Sequence, residues 1–532
     1  MSGDGVSSRG ALAPLATPLF RAFWVANLGS MLGTWVHQVG AAWLMTSLTS
    51  SRLKVALVQA ALTFPMFLLA LPAGALADVL DRRRLLIAAQ AWMMLWAAVL
   101  GVLTLLERVD PELVLLLIAL MGLGSAIHAP TWQSSIPELV RREDLPAAVA
   151  LGSVGFNLAR SVGPALGGIL VGLVGPGAAF LVNATSYLGV LLVALSWRRQ
   201  VVPSALPAER MSAAIAGGLR YVRHEPRLRA VIARGALFVV CASGLWALLP
   251  VLAREDLGLS ATHYGLLVGS MGAGAVLGAF LLARVRGALT LEQVVVIATL
   301  VMAAVVLGVA RVRRFELLCP LLLPGGAAWL WLLSSLNTAV QGSVPGWIRG
   351  RAISVYLLAF FGAHAGGSAL WGWVASRVGT ADALDGVALG LAGGVLLAPL
   401  LRLPSGELLD LSPSQHWPAP RMAEALEPGE GPVLVTIEYE VDPARAPELL
   451  RGLEELRRLR LRDGATAWGA YQDAADPGRW SEQFLVPSWE AHLRQHERVT
   501  VADRAVQERV EALHKGPEPP RVRHLLARRA PL

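Results

Sequence analysis

Runs of 18 or more apolar residues recur along the first three quarters of this 532-residue chain, and they leave it few ways to fold. Each run is long enough to cross the hydrocarbon core of a bilayer. In lipid, backbone polar groups must be satisfied within the segment, so such runs are helices. Composition agrees, with 55% hydrophobic and 16% charged residues against about 25% charged in an ordinary soluble domain. Twelve spans are expected, at 20–47, 53–77, 85–106, 112–134, 146–172, 178–197, 231–252, 261–283, 291–310, 316–341, 351–375 and 383–402. The first run is too long for a cleaved signal peptide and is expected to be retained.

Charge is divided unevenly. Residues 1–402 hold 29 Lys and Arg against 17 Asp and Glu, whereas 403–532 hold 17 against 21. The overall +8 therefore belongs to the membrane part, where cations anchor loops. The soluble tail is acidic, which excludes nucleic acid as a partner. Arginines sort the loops. One alternate set carries Arg82 to Arg84, Arg141 and Arg142, Arg198 through Arg234, Arg284 and Arg286, and Arg349 and Arg351. The opposite set is poorer, although Arg311, Arg313 and Arg314 break the pattern. The richer set faces the cytoplasm, which places both termini inside. Two lysines against 44 arginines suggest a GC-rich bacterial genome, and so a bacterial inner membrane. The only cysteines, Cys241 and Cys319, lie in apolar runs and imply no disulfide framework.

The chain divides into a cytoplasmic segment (1–18), a six-span half (19–197), a long loop (198–230), a second six-span half (231–402), a linker (403–432) and a soluble domain (433–532). Within the loop, Ala213–Arg223 shows apolar residues at helical spacing. This reads as an amphipathic helix on the inner membrane face.

Between spans two and three stands Gly74-Ala-Leu-Ala-Asp78-Val-Leu-Asp81-Arg82-Arg83-Arg84. Small residues allow close helix approach, and the charge marks a cytoplasmic hinge. A fainter copy, Gly278 to Arg286, follows 204 residues later, the internal symmetry of transporters built from parallel halves. The element resembles the signature loop of the major facilitator superfamily, with Gly74, Leu76, Ala77, Asp78, Arg82 and Arg83 matching. Val79 and Asp81 depart from that pattern. The resemblance implies a twelve-helix fold of two bundles, gated by a charge latch of Gly74, Asp78, Arg82 and Arg83. In that latch Asp78 meets a helix N-terminus of the other half, where the dipole favours an anion.

A second motif, Arg160-Ser-Val-Gly163-Pro164-Ala-Leu-Gly167-Gly168, is similar to the exporter-type motif of the superfamily's fifth span, with Ala159 in place of its first glycine. It points to export over uptake, and the Asp81-Arg82-Arg83-Arg84 ending of the hinge is similar to that of exporters related to drug, siderophore and macrolide efflux pumps. The structural alternative for the fifth-span motif is a small-residue packing interface.

Ionisable groups within spans are costly and mark pathways. No Asp or Glu lies at mid-span, which departs from relatives that exchange protons through a buried carboxylate. The remaining cavity or coupling candidates are His37, His128 and His364, together with Arg160 and Asn157. Histidine titrates near neutral pH, and Arg160 suits an anionic substrate. Polar side chains such as Asn27, Gln38, Gln59 and Asn183, and Trp24, Trp35, Trp43 and Trp132, are further lining candidates. No phosphate-binding Gly-Lys-Ser/Thr loop and no Cys/His metal spacing occurs, so no cofactor and no metal are expected.

In the tail, Val433, Val435, Ile437, Tyr439 and Val441 alternate as in a half-buried strand. Asp442-Pro443 opens a helix bearing Leu449, Leu453 and Leu456, and Gly464 closes it. Strands are expected at 465–472 and 480–486, helix at 489–515 and a last strand at 521–527. That β-α-β-β-α-β order is ferredoxin-like. It resembles the dimeric α+β barrel domains, which implies a regulatory or dimerising module. His492 and His496 form an i, i+4 pair, but Arg494, Glu497 and Arg498 between and beside them predict a solvated face rather than ligands.

The expectation is a transporter, not an enzyme. It meets a small-molecule substrate and membrane lipids, and exports drug-like or siderophore-like molecules by proton-driven alternating access. The alternatives are lipid or metabolite transport, a transporter fused to an enzyme, and a membrane sensor.

Overall fold

Side chains that cap helix ends set where the spans begin. Asp81, Asp110, Ser51 and Ser260 each accept a backbone N–H three residues on, and Thr290 forms a reciprocal capping box with Gln293. Pro18 and Pro111 occupy first-turn positions, where no donor is lost. The computed structural model describes residues 12–198, 211–404, 410–417, 427 and 429–527; the side chains of 74, 75, 77–79, 142 and 211–214 lie outside that description.

The helical unit begins with α1 (Pro18–Leu48), α2 (Arg52–Val79), α3 (Arg82–Leu105), α4 (Pro111–Leu139) and α5 (Leu145–Ser196), and 232–337 and 356–405 belong to the same compact unit. After the loop helix α6 (Met211–His224) come α7 (Pro226–Val251), α8 (Ala261–Ala288), α9 (Leu291–Arg311), α10 (Phe315–Gly342), α11 (Arg349–Val378) and α12 (Thr380–Leu396). Nine of the described helices are long and apolar enough to cross a membrane. One of them, α5, is two spans. Gly175 breaks it at φ 83°, a left-handed conformation that glycine adopts without penalty, directly before Pro176. With α1 and the shorter α12, the twelve spans read from the sequence are recovered.

In the first half, α5 packs against α1 and α3, and α2 against α4. The halves meet along α5 and α8, where two glycines face one another. A Cβ on Gly168 would stand 2.7 Å from the Gly265 Cα and from the Ala261 oxygen. A Cβ on Gly265 would stand 2.6 Å from the Gly168 Cα. The backbones are thus in direct contact, which only small residues permit.

The second unit comprises 209–231, 338–355 and 406–532. Its centre is a four-stranded antiparallel sheet of β1 (Val433–Glu440), β2 (Ala467–Gln472), β3 (Arg479–Val486) and β4 (Arg521–Leu526), in the order β2-β3-β1-β4. The register sets Val435 opposite Phe484 on one side and His524 on the other. Helix α13 (Ala446–Asp463) buries Leu449, Leu453 and Leu456 and ends at Gly464, φ 130°. The helix expected over 489–515 is instead two, α14 (Trp489–Arg498) and α15 (Val501–Glu511). Thr500 interrupts them because its hydroxyl and Asp503 form a capping box that starts a new helix.

Two features of this unit differ from expectation. Tyr221 of α6 is 1% exposed, and the helix lies against α13 instead of presenting that face to lipid. Arg462 explains the attachment. Its guanidinium sits 5.3 Å from the Tyr221 ring centroid and 3.5 Å from Glu225, while also pairing with Asp463 and Asp503. Arg498 lies 4.3 Å over the Trp347 ring. The second difference is a charged pair in the domain core. Arg460 meets Glu482 at 3.1 Å, and Tyr439 and Trp468 donate to the same carboxylate.

Candidate functional site

A cavity of about 370 Å³ lies within the helical unit, lined by residues of both halves. The two halves contribute different chemistry. From the first come most of the polar groups, Asn27, Ser30, Thr34 and Gln38 on α1, Gln59 and Thr63 on α2, Ser125 and His128 on α4, and Arg160 and Tyr187 on α5, beside apolar residues such as Trp35 and Phe156. From the second come mainly rings: Trp246 on α7, Tyr264 on α8, Trp329 on α10, and Phe360 and His364 on α11. Rings that supply contact area and a few placed polar groups are the usual make-up of a site for small organic molecules.

Arg160 is the strongest charge in this lining. It is 7% exposed, and its Nη2 has no hydrogen-bond partner among the described residues. No Asp or Glu is among the lining residues, so nothing there neutralises it. A buried cation without an anion is expensive unless a ligand supplies one. The same turn of α5 touches α8: a Cβ on Gly272 would stand 2.4 Å from the Arg160 carbonyl oxygen. The cavity's charge and the contact between the halves therefore share one helical turn.

Of the three histidines expected to face a polar path, His128 and His364 line the cavity. His128 Nδ1 lies 3.1 Å from the Gln90 amide nitrogen. His37 stands elsewhere. It is 4% exposed and packs its ring 4.6 Å from that of Phe180, apart from the cavity lining. Asn157 also lies outside the lining, and its amide donates to the Ser153 carbonyl one turn back. Among the four tryptophans only Trp35 lines the cavity. Trp24 donates to the Leu151 oxygen, Trp132 packs in an apolar cluster, and Trp43 stacks on Tyr264.

The exporter-type motif is divided by the helix period. Arg160 faces the cavity. Gly163 and Gly167 face α1, where a Cβ would meet Trp35 at 2.6 Å and the Val36 Cα at 2.9 Å. Gly168 faces α8, and Pro164 lends its carbonyl to the same contact, 2.6 Å from a Cβ on Gly265.

In the hinge, Gly74 and Asp78 have side-chain positions outside the described residues, so Asp78's expected partner is not placed. Arg82 donates to the Ser134 oxygen at 2.6 Å and pairs with Glu138 at 2.9 Å, both on α4. Arg83 donates to the carbonyls of Ala194 and Leu195, in the last turn of α5, where acceptors lack a partner within the helix. In the second half, Arg286 reaches Ser334 and Ser335 of α10. The repeated hinge thus repeats a contact, an arginine bonded to the fourth helix of its own half.

Sequence reading missed Tyr187, Tyr264, Trp246, Trp329 and Phe360. Tyr187 joins Thr34 and Asn183 in a hydrogen-bonded chain. Ordinary aromatics inside apolar runs carry no signal in one dimension, and only helix packing brings them to one cavity.

Comparison with known proteins agrees with this architecture. The chain matches the model of the transmembrane secretion effector family over residues 9–531. It is 24% identical to the staphyloferrin A transporter of Staphylococcus aureus, spanning 63% of this chain and 84% of that protein. It is 26% identical to the multidrug efflux pump Tap of Mycolicibacterium fortuitum, spanning 62% of this chain and 82% of that one. A solved POT family transporter in complex with 5-aminolevulinic acid superposes with TM-score 0.60 at 12% identity, over 72% of this chain and 96% of that one. A bacterial homologue of the human lysosomal transporter Spinster, inward-facing and occupied, gives TM-score 0.57 at 16% identity, over 73% and 95%. Those two likenesses establish the fold. With twelve spans, a cavity shared by two halves and a family match over nearly its whole length, the chain belongs to the transmembrane secretion effector family of the major facilitator superfamily, and is a multi-pass membrane transporter.

Proposed function

We propose that this protein exports small organic molecules carrying a negative group across the bacterial inner membrane, with both termini in the cytoplasm, by alternating access driven by the proton gradient. The observation that carries the reading is Arg160, buried in a cavity of both halves with an unsatisfied nitrogen and no lining carboxylate. The rings of the second half suit an organic body, and Arg160 an anionic group. Relatives named for a siderophore and for multidrug efflux agree with such cargo. His128 and His364 are the imidazoles in the lining, side chains that can take up and release a proton.

The test is flux in proteoliposomes of the full-length chain, with a panel of siderophores, anionic drugs and neutral drugs, with and without an imposed pH gradient. Outward flux of anionic members that rises with the gradient is expected. Flux that ignores the gradient overturns the coupling, and a preference for neutral members overturns the role of Arg160. Asp78→Asn is expected to impair flux while leaving membrane insertion intact; equal flux at matched expression would refute the latch. A second, apolar groove of about 950 Å³, lined by residues of α2, α4, α7 and α11 including Phe64, Phe67 and Leu358, favours lipid cargo as the alternative. Transfer of a fluorescent lipid in the same vesicles would establish that reading.

A further inference from the structure

The helix α14 departs from its expected solvated face. His492 is 1% exposed, and His496 and His524 are half-buried. His492 and His496 are one turn apart on α14, so their rings project to the same side. His524 comes from β4, the edge strand beside β1. These three imidazoles meet in space although 28 residues separate His496 from His524. Ring centroids of His492 lie 4.9 Å from those of His496 and 4.7 Å from those of His524.

From this cluster we propose that His492, His496 and His524 form a binding site for one divalent transition-metal ion of the zinc class.

Distances carry the assignment. A tetrahedral zinc ion with ligand bonds of about 2.0–2.1 Å holds its nitrogens about 3.3–3.4 Å apart. His492 Nε2 and His496 Nε2 are 3.3 Å apart, already the edge of such a tetrahedron. One ligand nitrogen from each ring lies within 4.8 Å of the others, so His524 closes the third edge by a small side-chain movement. Three imidazoles with a fourth position left over suit zinc, cobalt, nickel or copper, and do not suit calcium or magnesium, which take oxygen.

The surroundings fit the chemistry. Burial, and secondarily the neighbouring histidines, hold His492 down to about 3 and His496 to about 4. Both rings are therefore neutral at physiological pH, the form that binds metal. The nearby guanidinium of Arg460 is offset by Glu482 at 3.1 Å. Trp489 and Trp417 flank the rings, with centroids 5.5 Å from His492 and 4.8 Å from His496. A bound ion would fasten α14 to the last strand of the domain.

The test uses the full-length chain in detergent, without a histidine tag, stripped with chelator and titrated with zinc or cobalt(II). One zinc per chain by calorimetry, and the intense visible bands of tetrahedral cobalt(II), are expected. His496→Gln and His524→Gln should each weaken binding by more than about 100-fold, beyond what loss of an outer-shell partner typically costs. Melting of both variants in chelator should match the unsubstituted chain, which separates ligand loss from misfolding. Failure to bind one ion per chain overturns the site, as does binding that survives both substitutions.

Discussion

The proposed recognition of cargo rests on one side chain, Arg160. Its buried guanidinium has no lining carboxylate to pair with, so removing the charge removes attraction for an anionic cargo. Arg160→Gln should raise KM for the anionic substrate identified in the flux panel at least tenfold, equivalent to about 1.4 kcal/mol. Arg160→Lys should restore part of it, because lysine keeps the charge without the planar fork. A KM unchanged in Arg160→Gln would exclude direct contact with cargo. The second critical residue is Glu482, 0% exposed and bonded by Arg460, Tyr439 and Trp468. Glu482→Leu strands a buried cation and should destabilise the soluble domain by about 3–5 kcal/mol. Replacing Arg460 as well, with Met, should recover most of that. Hydrogen exchange in β1 and β3 reads both outcomes.

At the scale of elements, α5 divides its faces among three tasks. One face carries Arg160 into the cavity, another seats Gly163 and Gly167 on α1, and a third brings Gly168 against α8. Gly168→Val adds carbon where backbone atoms already stand 2.7 Å away. Neither helix can yield locally, so the halves must separate or tilt. Flux should fall at least tenfold at matched expression. Gly152→Ala, on the same helix, meets nothing within 4 Å and should leave flux unchanged, since alanine is the better helix former. Equal loss in both variants would indicate a general intolerance of α5 to side chains rather than the α8 contact.

Across the whole molecule, contacts between the halves gather at the end bearing the α1–α2 loop. Arg254 lies 5.0 Å over Trp43, Trp43 stacks on Tyr264, and Arg52 approaches Glu255 at 3.9 Å. Gly172 and Thr262 belong to the same region. A Cβ on Gly172 would be 3.9 Å from the Thr262 Cβ, inside the span a disulfide bridges, about 3.5–4.5 Å. Gly172→Cys with Thr262→Cys, in a chain whose Cys241 and Cys319 are replaced by alanine, should crosslink on mild oxidation. The proposed alternating access would require this contact to open, so flux should stop and return on reduction. Full flux in the crosslinked protein would exclude separation of the halves at this end.

Much of this was legible in one dimension, for reasons that differ by residue. Apolar length alone announces a span, because lipid leaves the backbone no other arrangement. The α5 break falls in the gap read between spans 146–172 and 178–197, and the tail's first strand was legible in alternating Val433, Val435 and Ile437, because local periodicity reports local structure. The chain by itself determined twelve spans, two related halves and a small α+β domain. The cavity's rings, the separation of His37 from His128 and His364, and the meeting of His492 and His496 with His524 were decided only in the tertiary structure. Which face of a helix looks inward, and which distant strand arrives beside it, depends on packing between elements, and no short stretch of sequence encodes that.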